Sequence, residues 1–455
     1  MKSYVGRTIE YAKTGAILLL TVTMLLFAAL YIGGAQFAAG TAADTAAPLS
    51  GGAVPAGKEY TSVPALFERG LLFTEFAAVS DGGGSVGAFG FEPAARAVYS
   101  FALQAVHDSL AAGAEITEIT EAEFCASASG RHVYLQFPSA LPYQILYALT
   151  GEAVSAAKTD AFTVERLFLR VFEDGEAILY TSGRGQYRRA AAGAWVSLIE
   201  LGLLAADDRL EPVEFTESGI ALCEKSPAVY PVSLTRGGAF GMDNAAYRAI
   251  LYLLGYNPDR ESAAYLPGTV RTIVEPHGTF SLSDTMLVYS AAKDSGIPIA
   301  DFLSVVKSEL DVGLYDTLEA AAQMAERLRE IAPMAFGGAA GYFVKDVYRD
   351  GDAYTVIFGY ELNSIEITGA ALPYFAKITV QNGRFKRIEA RGLLCTQGSY
   401  RNTLFPSGWC YRYAAEETNI EAIRLIYPAV KESVAERNAS WYIRESEAKR
   451  ELETG

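Results

Sequence analysis

Histidine and cysteine are the scarcest chemical material in these 455 residues: three His and four Cys in all. That leaves little for a zinc or iron–sulfur centre, and no C-x-x-C spacing occurs. Basic charge is short as well: 38 Lys and Arg stand against 53 Asp and Glu, a net charge of −15. Sequence-independent binding to a nucleic-acid phosphate backbone is disfavoured on that balance. Catalytic signatures are also missing. There is no G-x-S-x-G elbow for a serine nucleophile, and no S-x-x-K with S-D-N and K-T-G. The Gly-rich stretch 81–90, DGGGSVGAFG, lacks the lysine of a phosphate-binding loop and reads as a loop or hairpin. What the chain does have is apolar bulk, 51% of residues, with 27 Tyr and 23 Phe, enough to build large cores. At this length more than one domain is expected.

One long uncharged run stands out. Residues 14–35, TGAILLLTVTMLLFAALYIGGA, would rise about 33 Å as a helix, enough to cross the hydrocarbon core of a bilayer. Lys2, Arg7 and Lys13 precede it against the single acid Glu10, and no charge follows until Asp44. The positive-inside rule puts the N-terminus in the cytoplasm and the bulk of the chain outside. Removing those three basic and one acidic residues leaves 35 and 52, so the outer part carries −17. The run is longer than a signal-peptide core, which favours a retained anchor, although small residues at Ala38, Ala39, Ala42 and Ala43 also fit a cleaved signal peptide. Ala29 and Gly33 form a small-xxx-small pair of a kind that lets membrane helices approach, and one common by chance in such spans.

Residues 36–63, rich in Ala, Gly, Ser, Thr and Pro, read as a flexible stalk. Beyond it the pattern alternates between helix and strand periods. Helices are expected over 92–112, 141–151, 190–208, 243–255, 299–332 (one or two) and 416–436. Strands are expected at 114–120 and 131–138, in hairpins at Asp174-Gly175, Asp350-Gly351 and Asn382-Gly383, in a two-stranded turn near His277-Gly278, and at 440–445. The expected fold class is therefore α+β: an N-terminal transmembrane helix, then a multi-domain extracytoplasmic region of antiparallel sheets packed with helices. Its parts are a cytoplasmic tail 1–13, the span 14–35, the stalk 36–63, and α+β domains at 64–208, 209–335 and 336–444. A charged tail, 445–455, ends the chain.

Candidate chemistry is sparse. His107 falls on a polar helix face, His132 opens a strand and His277 sits in a turn. Glu275 and Asp284 flank the last, so Glu275, His277 and Asp284 are the trio an exported cell-wall hydrolase would need for acid–base work. Ser182, between a strand and a Gly-rich turn, is ordinary turn chemistry. Cys395 and Cys410 bracket 14 residues and, outside the cell, could pair, while Cys125 and Cys223 are isolated; four separate thiols is the other reading. No catalytic residue, cofactor or metal is assigned.

The phrases RHVYLQFPSALPYQIL (131–146), VRTIVEPHGTFSLSDTMLVYSA (270–291), YTVIFGYELNSIEI (354–367), KITVQNGRFKRIEA (377–390), IEAIRLIYPAV (420–430) and ASWYIRE (439–445) carry a resemblance. In this order, behind a basic N-terminus and one membrane span, they resemble the YycH/YycI proteins of Gram-positive bacteria. That resemblance implies a non-enzymatic regulator of the cell membrane. It would bind a sensor histidine kinase, WalK in that family, within a cell-envelope two-component system, and could pair with a paralogous regulator, as homo- or hetero-oligomer. The rival classes are the exported hydrolase and a wall-associated binding or inhibitory protein.

Overall fold

In a computed structural model the chain divides into two units, 1–58 and 59–455. The described residues all lie in the second: 71–111, 116–143, 145, 163–235, 243–259, 270–303, 313–370, 372–415, 420–429 and 434–445. The expected span 14–35 and stalk 36–63 fall outside them. Among the described residues no helix is long and apolar enough to cross a membrane.

Residues 76–223 build a nine-stranded, wholly antiparallel sheet. Its strands are β1 (Phe76–Asp81), β2 (Ser85–Phe89), β3 (Ile116–Glu118), β4 (Arg131–Pro142) and β5 (Thr163–Val171). Then follow β6 (Glu176–Gly183), β7 (Gln186–Trp195), β8 (Glu211–Phe215) and β9 (Ala221–Cys223), in the spatial order 3-7-6-5-4-1-2-8-9. The expected helix over 92–112 is present as Pro93–Ala111. It buries Ala94, Ala95, Val98, Tyr99, Ala102, Ala105 and Val106, the three-to-four spacing that places one stripe on a sheet. The opposite face carries aromatic rings instead: Phe76, Phe124, Tyr134 and Phe168. With both faces covered, β1 and β4 are buried along nearly their whole length.

Next come β10 (Ala228–Val229), β11 (Val232–Thr235), β12 (Arg271–Glu275), β13 (Gly278–Leu282), β14 (Met286–Ala291) and β15 (Ile297–Pro298). They are followed by β16 (Phe336–Gly338), β17 (Gly341–Asp350), β18 (Ala353–Leu362), β19 (Ile365–Thr368), β20 (Ala376–Gln381) and β21 (Arg384–Arg391). Last are β22 (Leu393–Gln397), β23 (Asn402–Thr403), β24 (Ile420–Pro428), β25 (Val434–Arg437) and β26 (Ser440–Glu445). Eleven of these form a second large sheet with the path 12-13-14-21-20-18-19-24-26, to which β15 and β17 add. Its pairings are antiparallel except β19 with β24. The helix Leu314–Ile331 packs on β18 and β20 of this sheet, and its Leu318, Ala321, Ala325 and Leu328 are buried. Among the described residues the bulkiest fully buried side chains are Tyr and Phe, such as Tyr99, Tyr134, Tyr289 and Phe168. Each stabilises by about 1.5–3 kcal/mol on burial, so aromatic content is what holds these sheets together.

The fold class is α+β with mostly antiparallel sheet, as expected. The three hairpins with Asp-Gly or Asn-Gly turns are present. At Asn382 and Gly383 both φ angles are positive, +51° and +66°, which a right-twisted two-residue hairpin requires. The helix Asn244–Leu253 ends at Gly255, in the left-handed region as its position implies.

Several elements differ from expectation. The stretch 416–436 is not a helix: β24 occupies Ile420–Pro428, and β25 begins at Val434. Ile420, Ile423 and Ile426 are β-branched, and β24 is buried on both faces, which erases the alternation that marks a strand. Residues 270–291 form three strands rather than two. Ala190–Trp195 belongs to β7, so the helix in 190–208 is only Leu198–Ala205. β4 runs through Pro142, so no helix starts at Leu141, and the remainder of 141–151 lies largely outside the described residues. Within 299–332 a 3-10 turn, Ile299–Phe302, precedes the helix at Leu314–Ile331. Two short helices, Glu121–Ala126 and Ser407–Ala415, were not anticipated.

Candidate interaction surface and the ion network beneath it

The structure does not assemble the trio Glu275, His277 and Asp284. His277 follows β12, its Nδ1 3.5 Å from Glu275 Oε2 and its ring 4.5 Å from that of Tyr256. Asp284 lies in the next turn, at the far end of β13. Five strand residues span roughly 17 Å, too far for one proton-transfer step. Nε2 of His277 is buried with no hydrogen-bond partner among the described residues.

His132 is buried in β4, edge-on to Phe168 and Phe215 at 5.5 and 5.3 Å. Nδ1 donates to Gly130 O at 3.1 Å, and Nε2 sits 3.4 Å from Ser85 Oγ. Burial pushes its pKa down to about 4, against the Gly130 carbonyl, so the ring is neutral and structural. His107 is on the Pro93–Ala111 helix, and its side chain lies outside the described residues. Ser182 is not in a loop: it is buried inside β6, where it accepts from Arg166 Nε at 3.1 Å. All four cysteines are free thiols, so the Cys395–Cys410 bridge is not formed. Burial raises all four, Cys395 to about 12, which removes thiolate character. No group of three or more His, Cys, Asp or Glu with metal-holding geometry occurs among the described residues.

Charge is instead concentrated at the seam between the two large sheets. Arg424 on β24 is buried, with Nε 3.0 Å from Glu75 Oε2 and Nη2 2.8 Å from Glu366 Oε2. Lys345 Nζ meets Glu366 Oε1 at 2.6 Å and donates to Thr368 Oγ1 and the Pro373 carbonyl. Glu75 Oε1 accepts from the Leu425 N–H at 3.1 Å, and Gln136 Nε2 donates to Oε2 at 3.3 Å. Two acids and two bases thus cancel, with the remaining lone pairs and protons largely taken up by neighbours. A buried network needs that satisfaction. Burial drives the Glu75 carboxyl above the usual range despite Arg424. At Glu366 burial pushes the same way, but Arg424 and Lys345 together outweigh it and hold the carboxyl low. Arg424 itself is raised: burial would lower it, and the two carboxylates prevail. Alongside, Arg444 on β26 bridges Glu165 on β5 at 2.8 Å and Glu421 at 3.2 Å, a second tie across the seam.

The seam is tight at Gly90. A Cβ there would lie 1.8 Å from Thr74 O, so no side chain fits while Glu75 is seated. Gly90→Ala is therefore expected to cost about 1–3 kcal/mol through the backbone shift it forces. An unchanged denaturant midpoint would show that the 74–75 backbone is not held there.

Over the seam lies the helix Ser407–Ala415. Its N-terminus is fixed by Ser407 Oγ, which accepts from the Cys223 N–H at 2.8 Å. Arg412 forks onto Glu224 at 2.8 and 3.2 Å. Trp441 Nε1 donates to the Phe405 carbonyl at 2.8 Å. The four-residue spacing of Phe405, Trp409 and Tyr413 brings three rings into a stack. Centroids are 4.9 and 6.3 Å apart, with planes 26° and 13° from parallel. The rings are 66%, 51% and 72% exposed. Folding gains little from them, so this ladder is surface the fold itself does not account for. Other exposed apolar residues are Trp195, at the end of β7, and Ile199 and Leu203, on the helix Leu198–Ala205 that follows it. The spacing of the ladder is readable in the sequence; its exposure is not.

No family model and no curated protein sequence matches the chain. Among solved structures it is similar to the crystal structure of YycH from Bacillus subtilis, at 12% identity and a TM-score of 0.46. That likeness covers 85% of this chain and 96% of that one.

Proposed function

We propose that this chain is a non-enzymatic regulator, anchored in the cell membrane by residues 14–35, that binds and modulates a sensor histidine kinase of a cell-envelope two-component system. The observation that carries the contact surface is the exposed Phe405–Trp409–Tyr413 ladder. Aromatic rings dominate the energetic centres of protein interfaces, because they bury much area while losing few rotamers. These three are already stacked on one another, so ordering them on binding costs less still. The sequence resemblance over residues 131–445 suggests the partner class, and the uncharged run 14–35 behind a basic N-terminus suggests the membrane. An anchor confines chain and kinase to one plane and raises their effective concentration, so a modest contact suffices. Regulation then needs only unequal affinity for two kinase states, a few kcal/mol being enough.

The test is the triple variant Phe405→Ala, Trp409→Ala, Tyr413→Ala in the full-length chain, reconstituted with the kinase in vesicles. Binding is expected to weaken by at least 100-fold, since single hot-spot truncations cost about 2 kcal/mol or more. Because all three rings are largely exposed, thermal stability should change little. Kinase output and affinity equal to those of the parent chain would remove the ladder from the contact.

A further inference from the structure

The segment Leu71–Glu75 opens the described fold, directly after the chain that leads from the span and stalk, and it runs into the seam. Leu71 and Leu72 are buried, and the Leu71 carbonyl accepts from the Val344 N–H at 2.8 Å. Phe73 packs edge-on against Phe343 at 5.0 Å, tying this stretch to β17 of the second sheet. Glu75 N–H donates to Gln136 O at 2.8 Å, which joins the same stretch to β4 of the first.

From Glu75 a continuous set of contacts leads to the surface. Its carboxylate holds Arg424 and the Leu425 N–H. Leu425 stands opposite Trp441 in the β24–β26 pairing. Trp441 lies 5.8 Å from the Phe89 ring and donates to the Phe405 carbonyl, where the aromatic ladder begins. A cavity of about 20 Å³, room for one water, is lined by Glu75, Gln136, Arg424, Ser407 and Trp441 among others, so the two ends of this chain of contacts share one space.

We propose that Leu71–Glu75 is a latch through which the upstream chain sets the order of the Phe405–Trp409–Tyr413 surface. This rests on reading that ladder as the partner contact. A carboxylate in such a place has two discrete positions: seated on Arg424 and the Leu425 N–H, or withdrawn into water. Partial withdrawal would leave charge buried without its partner, so intermediates are costly. When Glu75 leaves, Arg424 keeps Glu366, but the Leu425 N–H loses its acceptor, and the β24 backbone opposite Trp441 loses one of its tethers. Tension or rotation delivered along the upstream chain would thus loosen the helix Ser407–Ala415 without unfolding either sheet. It is a bistable element biased from one end.

Amide hydrogen exchange on the full-length chain in detergent micelles tests this without any partner. In Glu75→Gln, exchange over Ser407–Ala415 and Ser440–Glu445 is expected to rise at least tenfold, while the Thr163–Gly183 hairpin keeps its parent rates. Leu71→Ala loosens the latch from its other end, leaves every charged group and ladder residue in place, and should give the same pattern. It stands in if Glu75→Gln fails to fold. Parent-like exchange over Ser407–Ala415 when Leu71–Asp81 has become labile would overturn the proposal, as would a uniform rise along the chain. A chain that shows the expected pattern yet binds no kinase supports the latch and removes only the partner assigned to the surface.

Discussion

Arg424→Met is expected to lower the free energy of unfolding by about 3–5 kcal/mol, the usual cost of leaving buried charge without its partner. Among the described residues Arg424 is the one cation touching both Glu75 and Glu366, and those two carboxylates are even more buried than it is. Removing it leaves Lys345 to hold Glu366 alone and leaves Glu75 with neutral donors only, Gln136 and the Leu425 N–H. The parent network itself need not add much stability. Exchanging Glu75, Glu366 and Arg424 together for Met should be close to neutral, because the desolvation of three ions then disappears along with their attraction. Lys345, still partly exposed, can turn its ammonium to water in that variant. Urea unfolding of the single and triple variants reads both numbers. A single-variant loss below about 1 kcal/mol would mean that water reaches the seam and screens it.

Acid should weaken the fold well before carboxylates are generally protonated. His132 has an ordinary value of 6.5 and a folded value of about 4. The unfolded chain therefore binds the proton more readily, and stability falls as the proton becomes available. The contribution is complete above pH 6.5, declines as pH falls towards 4, and amounts to about 3 kcal/mol at 1.36 kcal/mol per unit. Glu366 works in the same direction lower down, since its carboxyl is held below the usual range and its share is lost as pH drops beneath that range. Glu75 works the opposite way: its raised carboxyl favours the fold at low pH and loses that advantage as pH rises. The His132 share is isolated by His132→Phe, whose ring suits the space between Phe168 and Phe215. Between pH 7 and 4 the variant should lose about 3 kcal/mol less than the parent chain. Superimposable pH profiles would show that His132 is protonated without cost in the folded state.

Short-range features of the fold were legible and long-range ones were not. Asp174-Gly175, Asp350-Gly351 and Asn382-Gly383 announce their hairpins because the turn conformation depends on two adjacent residues. The helix Pro93–Ala111 shows its buried stripe because one face meets a sheet and the other does not. β24 gives no such sign: its neighbours cover both faces, so IEAIRLIYP carries apolar residues at helical as well as strand spacings. Ala190–Trp195 misleads for a related reason, since alanines favour helix until β6 offers a strand to pair with. The site was harder still. Glu75 and Arg424 are 349 residues apart, and nothing local in either marks it as more than a surface charge.

Composition and local pattern therefore determined the class of this protein: an aromatic-rich, acidic α+β chain poor in catalytic and metal-binding side chains, behind a run long enough to span a membrane. These are properties of neighbouring residues and of totals, and they survive whatever the chain does later. Only tertiary structure decided which carboxylates lose their water, which histidine is forced neutral, and which rings stay outside. Desolvation is set by what packs on a residue from across the fold: Phe168 and Phe215 on His132, and Arg424, 349 residues away, on Glu75.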